Sequence, residues 1–417
     1  MLKNYIKIAW KVLLRRKFFT FVSLFGISFT LLVLMIVAAL LTHFLAPAGP
    51  GSRLDRSLLV GFVEVYSEDI HMITTPSYYF LDNHVRTMKT PEMVSIHSAP
   101  VTINEYVRNN KLELNLKFTD AEFWDIVEMD FVEGRPYDRA AVENATPVTV
   151  ITEKTGKEYF GQEAPVGKYI AADGINYRVV GVIANEDIPT WEAYADIYVP
   201  VTTSKSDLGR VSYYGSFGAY VLAHDKSDFG KIKSELRKRT EKLEPVGDIE
   251  FDWLKCYIGT MTDYIGAQIL GGVGVGEGFE GTGTYLILII ILGMILFMLL
   301  PTINLVNINV SRIIERASEI GIRKAFGASS RTLVGQFIVE NVILTLIGGA
   351  IGFIISIAAL EIVSGSGIVP YGEFTLNMRI FLYCLAICLF FGLFSGVYPA
   401  FKMSRLHPVE ALRGVDL

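Results

Sequence analysis

Charge is withheld from long parts of this 417-residue sequence. It is absent from Phe18 to Leu45, from Gly281 to Ser311, from Asn341 to Leu360 and from Ile380 to Phe401. Each stretch reaches the roughly 20 residues with which a helix crosses a ~30 Å hydrocarbon core. Together with 51% hydrophobic residues and a mean hydropathy of +0.39, they exclude a purely soluble chain of two or three domains. The first two stretches, 28 and 31 residues, would form helices roughly 42 and 46 Å long, so part of each is expected to project beyond the lipid or tilt. No Lys, Arg, Asp or Glu lies inside any of the four, which leaves an ion or proton relay through the membrane without its usual residues. Cysteine is scarce as well. Cys256 stands alone between the first two stretches, so that region has no internal disulfide. Cys384 and Cys388 sit one helical turn apart with no His or acid beside them, as packing residues rather than metal ligands.

Catalytic signatures are missing too. There is no phosphate-binding Lys loop, no HExxH, no GxSxG, and the six histidines are scattered. Neither a catalytic site, a metal nor a cofactor is expected. A literal GxGxxG at Gly276, Gly278 and Gly281 follows no strand and runs into an apolar stretch. It reads as a flexible linker rather than a dinucleotide site.

The basic residues set an orientation. Lys3, Lys7, Lys11, Arg15, Arg16 and Lys17 precede the first stretch, and no acid occurs before Asp55. Arg312, Arg316, Arg323, Lys324 and Arg331 separate the second from the third, and Lys402, Arg405 and Arg413 follow the fourth. The positive-inside rule places these three sets in the cytoplasm. The net charge of −5 averages basic cytoplasmic edges with an acidic outer domain and carries no implication of nucleic acid. The first apolar run is about twice the usual 7–15-residue signal core and is expected to stay as an anchor. The expected organisation is a cytoplasmic amphipathic helix on the inner leaflet (1–17), spans at 18–45, 281–308, 333–360 and 380–401, and an extracytoplasmic domain with its linker at 46–280. A cytoplasmic loop at 309–332, a short outer loop at 361–379 and a cytoplasmic tail at 402–417 complete it. The fold class is a membrane protein with four transmembrane α-helices and a large α+β domain inserted between the first and second.

Within that domain, residues 111–118 alternate strictly as a half-buried strand. Residues 168–172 and 175–183 flank Asp173-Gly174, a type I′ hairpin signal. Strands are expected at 147–152, 193–201 and 217–223, and helices at 152–160 and 227–243, the latter capped by Ser227. Residues 55–255 are expected to fold alone. In the membrane part, Gly348, Gly352 and Ser356 repeat every four residues, as do Gly392 and Gly396 with Ala400, which lets helix backbones approach closely. Pro301 should kink the second span.

The loop between the second and third spans holds a short amphipathic helix at 311–328. Ile313, Ala317, Ile320 and Lys324 mark one side and Glu315, Glu319 and Arg323 another, with Glu319 and Arg323 in the favoured i,i+4 order. Gly327 is placed to end it. Small residues and fixed charges clamped between two spans suit the docking of a partner.

The run Glu315-Arg316 through Glu319-Ile320-Gly321-Ile322-Arg323-Lys324-Ala325-Phe326-Gly327-Ala328 resembles the coupling-helix signature of MacB/FtsX-type ABC transporter permeases. The tail from Tyr398-Pro399 to Pro408-Val409-Glu410-Ala411-Leu412-Arg413 is similar to that family's terminal motif. Residues 133–136, 159–161, 165–168 and 179–182, downstream of Phe123, resemble the MacB-like periplasmic core domain. The resemblance implies a permease of the bacterial inner membrane without an ATP site of its own, partnered by a cytoplasmic ABC ATPase that binds ATP. It also implies a dimer with a second copy or a paralogue, and a role in moving a periplasmic substrate such as an antibiotic, peptide or lipid-linked molecule. Its coupling residues would be Glu315, Arg316, Glu319, Ile320, Gly321, Arg323, Lys324, Phe326 and Gly327. Alternatives within the same resemblance are an FtsX-like regulator of an envelope enzyme such as a cell-wall hydrolase and a lipoprotein-releasing permease. A periplasmic adaptor is a further candidate partner.

Overall fold

The computed structural model describes residues 11, 13–15, 17–45, 52–69, 71–107, 110–184, 192–246, 250–270, 281–315, 322, 326, 330–365, 374 and 376–404. The chain divides into two compact units, His43–Leu288 and Met1–Thr42 with Ile289–Leu417.

The first unit is built on one sheet. Its strands are β1 Ser57–Tyr66, β2 His71–Pro76, β3 Met93–Ser98, β4 Val101–Val107, β5 Asn110–Thr119, β6 Phe131–Gly134, β7 Val148–Thr152, β8 Tyr169–Ala172, β9 Ile175–Ile183, β10 Ile197–Pro200, β11 Tyr214–Gly215, β12 Phe217–Leu222 and β13 Trp253–Gly259. They run β11-β2-β1-β12-β3-β5-β10-β7-β9-β6, with β13 on β1, β4 on β5 and β8 on β9. The β8–β9 hairpin closes through Asp173 and Gly174 at φ 49° and 75°, the positive pair that a type I′ turn requires. The β5–β10 and β7–β9 pairs are parallel and the remaining pairs antiparallel, so strands and helices are mixed along the chain as an α+β class implies.

Two local expectations change. Ser227 is exposed and caps nothing. Asp225 accepts its N–H, closing a 3₁₀ turn before the helix Phe229–Thr240, whose Ile232 and Leu236 enter the core. The autonomous unit also cannot stop at residue 255, because β13 pairs with β1 from Leu59↔Gly259 to Tyr66↔Trp253. A cut at 255 would remove most of that strand and bare one edge of β1.

The other unit holds the apolar helices. Here α1 denotes Lys17–Leu45, α2 Met261–Leu270, α3 Thr282–Glu315, α4 Ser330–Gly365 and α5 Met378–Ser404. α2 and the first residues of α3 belong to the sheet unit. Among the described residues, Lys17–Leu41 and Val334–Gly365 are long and apolar enough to cross a membrane, and Thr282–Phe297 and Met378–Phe390 are shorter apolar segments. α3 continues through Pro301 as one 34-residue helix. Ile27, Leu31 and Met35 of α1 form an apolar cluster with Phe381 of α5, against Phe353 and Leu385. The amphipathic reading of residues 1–17 falls mostly outside the described residues, which begin with 11, 13–15 and 17.

Candidate functional site

Three places bear on function, taken from the coupling loop outwards. α3 ends at Glu315 and α4 begins at Ser330. Of the coupling residues, Arg316, Glu319, Ile320, Gly321, Arg323, Lys324 and Gly327 lie outside the described residues, as does the side chain of Glu315. Ile322 and Phe326 are described. The Phe326 N–H donates to the Ile322 carbonyl at 3.1 Å. The Phe326 side chain is 88% exposed.

The stripe on α4 faces α1. A Cβ at Gly348 would stand 2.9 Å from Ile27, and one at Gly352 would stand 3.2 Å from the backbone of Ser28. Ser356 is fully buried. The adjacent Gly349, absent from the sequence stripe, faces Leu385 of α5 at 2.6 Å. Gly392 and Gly396 lie within α5, and their surroundings fall outside the described residues.

The third place is the joint between α2 and α3, which sequence reading passed over. Thr260 and Asp263 form a reciprocal capping box. The Asp263 N–H donates to Thr260 Oγ1 at 3.2 Å, and the Thr260 N–H donates to the Asp263 carboxylate at 3.1 Å. The other carboxylate oxygen accepts the N–H groups of Gly281 and Gly283 at 3.2 and 3.3 Å, and Thr282 Oγ1 donates to the Asp263 carbonyl at 2.8 Å. One buried acid therefore caps two helices and sits where the α3 dipole favours negative charge. The backbones nearly touch here. A Cβ at Gly266 would fall 2.6 Å from Thr282, and one at Gly283 would fall 2.6 Å from Thr262. Gly281, read above as the end of a flexible linker, and Gly283 are thus pinned, while residues 271–280 lie outside the described residues. The T-x-x-D spacing was the signal available in the sequence; its second helix was not.

The sheet unit also buries charge. Lys117 has no exposure, and its Nζ donates to the Glu192 carbonyl at 2.7 Å. Burial lowers its pKa to about 8, with the Glu192 charge pulling the other way. The strict alternation of residues 111–118 placed Lys117 on a solvent face, but the fold buries it against Glu192. Burial, with the charge of Lys117, also keeps the neighbouring His97 imidazole neutral. Asp120 accepts from Arg86 at 2.6 Å, Ser95 Oγ at 2.7 Å, and the Ile96 and Phe123 N–H groups at 2.6 and 3.1 Å. Burial raises its pKa to about 7 against the pull of Arg86. These groups bind one another, which is how a core accommodates charge. Among the described residues no group of three or more His, Cys, Asp or Glu side chains could hold a metal.

Similarity to known proteins completes the picture. Residues 20–239 match the MacB-like periplasmic core domain and residues 288–408 the FtsX-like permease C-terminal domain. The chain is 26% identical over 285 residues to the macrolide export ATP-binding/permease protein MacB of Bdellovibrio bacteriovorus, covering 67% of this chain and 41% of that protein. It is 24% identical over 341 residues to the uncharacterized ABC transporter permease YknZ of Bacillus subtilis, covering 80% of this chain and 79% of that one. The chain spans about two fifths of the length of the MacB relatives it matches. The crystal structure of the periplasmic region of MacB from Actinobacillus actinomycetemcomitans superposes on 52% of this chain and 92% of its own, with a TM-score of 0.37 at 15% identity. With a periplasmic core domain and an FtsX-like permease domain in succession, the chain belongs to the MacB/FtsX family of ABC transporter permeases.

Proposed function

We propose that this permease works in export, converting the ATP-driven motion of a cytoplasmic ATPase subunit into movement of its sheet unit on a periplasmic substrate. In this reading α1, α3, α4 and α5 each cross the inner membrane, and both termini and residues 309–332 face the cytoplasm. The working form is a dimer with a second copy or a paralogue. ATP binds to the partner, and this chain supplies no catalytic residue.

The observation that carries the reading is the continuity of α3. Its first turn is bonded to the sheet unit through Asp263, and it runs without a break to Glu315, where the coupling residues begin. Thirty-four residues of helix extend about 51 Å, enough to traverse a bilayer and keep a rigid end on either side. The exposed Phe326 suits an aromatic anchor that fills a cleft on the ATPase. A charge such as Glu319 would meet a desolvated partner there, where stranding one member of a pair typically costs about 2–5 kcal/mol. An exposed rim charge would cost about 0–1 kcal/mol.

The test is Glu319→Lys combined with Gly321→Trp. Membrane insertion and dimerisation are expected to persist, while co-purification of the ATPase and ATP-dependent transport are lost. Glu373→Gln, a control on the opposite side of the membrane, is expected to change neither. Normal ATPase binding and full ATP-dependent activity in the double variant would reduce 309–332 to a connector and remove the coupling role.

A further inference from the structure

Three segments far apart in sequence meet in the sheet unit. Residues 135–136, 166–167 and 179–180, one pair from each of the segments 133–136, 165–168 and 179–182, line one open cavity of about 340 Å³. Its lining includes Val148, Val166 and Val180, the last on the same face of β9 as Arg178, together with Arg135, Arg178 and Asp138. The backbone around it is tightly specified. Gly134 and Gly167 have φ of 73° and 89°, which L side chains rarely adopt, and a Cβ at Gly181 would fall 2.6 Å from the Arg135 carbonyl. The Arg135 N–H donates to the Val180 carbonyl at 3.1 Å and the Gly167 N–H to the Val179 carbonyl at 2.8 Å, tying the three segments together. The cavity is thus a built feature of the sheet edge.

Its charges are unbalanced. Arg53, Arg56, Arg86, Arg139 and Arg239 of the same unit each face a carboxylate. Among the described residues Arg135 and Arg178 face none, although both line the cavity. The carboxylate present, Asp138, accepts the Ala141 N–H at 2.9 Å and caps the helical turn that follows. Two guanidinium groups over an apolar wall match a ligand with an anionic head and a short apolar body. A planar carboxylate fits the guanidinium fork bidentately. A bare oxyanion would leave most of 340 Å³ and the valine wall unused.

We propose that this cavity binds small amphipathic carboxylates, of the kind presented by an acylated amino acid or an apolar peptide C-terminus, with Arg135 and Arg178 holding the carboxylate and the valines its apolar body. This site goes beyond the export reading and does not depend on it, because binding is measured without ATP or an ATPase.

The experiment uses the full chain in phosphatidylcholine nanodiscs and radiolabelled N-acetyl-leucine in equilibrium dialysis. One saturable site per chain is expected. N-acetyl-leucinamide, which keeps the shape and lacks the charge, and inorganic phosphate, which lacks the body, should each bind at least about tenfold more weakly. The Arg135→Gln/Arg178→Gln variant should lose at least about tenfold in affinity with an unchanged thermal transition. Val166→Trp, which fills the cavity and keeps both arginines, should lose the site too. Absence of saturable binding up to about 10 mM, equal binding of acid and amide, phosphate binding as tight as the acid, or retention of the site in either variant would overturn the proposal.

Discussion

Position 117 places an ammonium group in the sheet core with one carbonyl acceptor and a buried carboxylate nearby. The sign of its pH dependence follows from its depressed pKa. In the native state Lys117 loses its proton near pH 8, whereas the unfolded chain holds it to about 10.5. Between those values the unfolded state binds more protons, so stability rises with pH across the window, by at most about 3 kcal/mol. Lys117→Met keeps the volume and lacks the proton. The wild type is therefore expected to gain stability relative to Lys117→Met between pH 8 and 10, read as the difference in thermal unfolding midpoints. A difference that stays flat would mean that Lys117 keeps its charge throughout. Nothing in the sequence marks this lysine, since the alternation from Lys111 to Phe118 fits a lysine in water equally well. Only its burial against Glu192 makes it a core residue.

Among the elements, the joint of α2 with α3 carries the mechanical argument. Asp263 satisfies N–H groups of both helices, and losing one such cap typically costs about 1 kcal/mol. Asp263→Ala is expected to destabilise the purified chain by about 2–3 kcal/mol and to speed amide exchange at Gly281 and Gly283. Asp252→Ala, at an exposed position, should stay within about 0.5 kcal/mol. Unchanged exchange at the two glycines would show that the cap does not hold the start of α3. The small-residue stripe on α4 was legible from its spacing alone, because every fourth residue returns to one helix face. Its partner was not, since spacing cannot say which helix fills the groove. Ile27 and Ser28 of α1 fill it at Gly348 and Gly352, and Leu385 of α5 lies against the neighbouring Gly349.

For the molecule as a whole, the orientation proposed from charge asymmetry is open to direct measurement. Single cysteines placed at Lys111 and Lys231, in a background without the three native ones, should react with an impermeant thiol reagent in intact spheroplasts. Cysteines at Lys324 and Arg405 should react only after permeabilisation. Labelling of the second pair in intact cells would overturn the four-span arrangement. The sheet unit likewise has to be taken whole. β1 receives β13 along one edge and β12 and β2 in turn along the other, so its neighbours come from residues 71–76, 217–222 and 253–259.

What the sequence determined unaided was local or additive in origin. Runs without charge define apolar helices because every residue in lipid contributes its own transfer free energy. Asp173-Gly174 defines its hairpin because two successive positive φ angles favour those residue types. Alternation and four-residue repeats assign faces within one element. The tertiary structure decided whatever depends on which surface covers another: the burial of Lys117, the closing of β13 on β1, the double cap at Asp263, and the meeting of residues 135–136, 166–167 and 179–180 round one cavity. Each joins groups separated by tens to hundreds of residues, and no periodicity or propensity encodes a pairing at that range. It is settled by the collective packing of the sheet, in which one strand's polar face becomes another segment's floor.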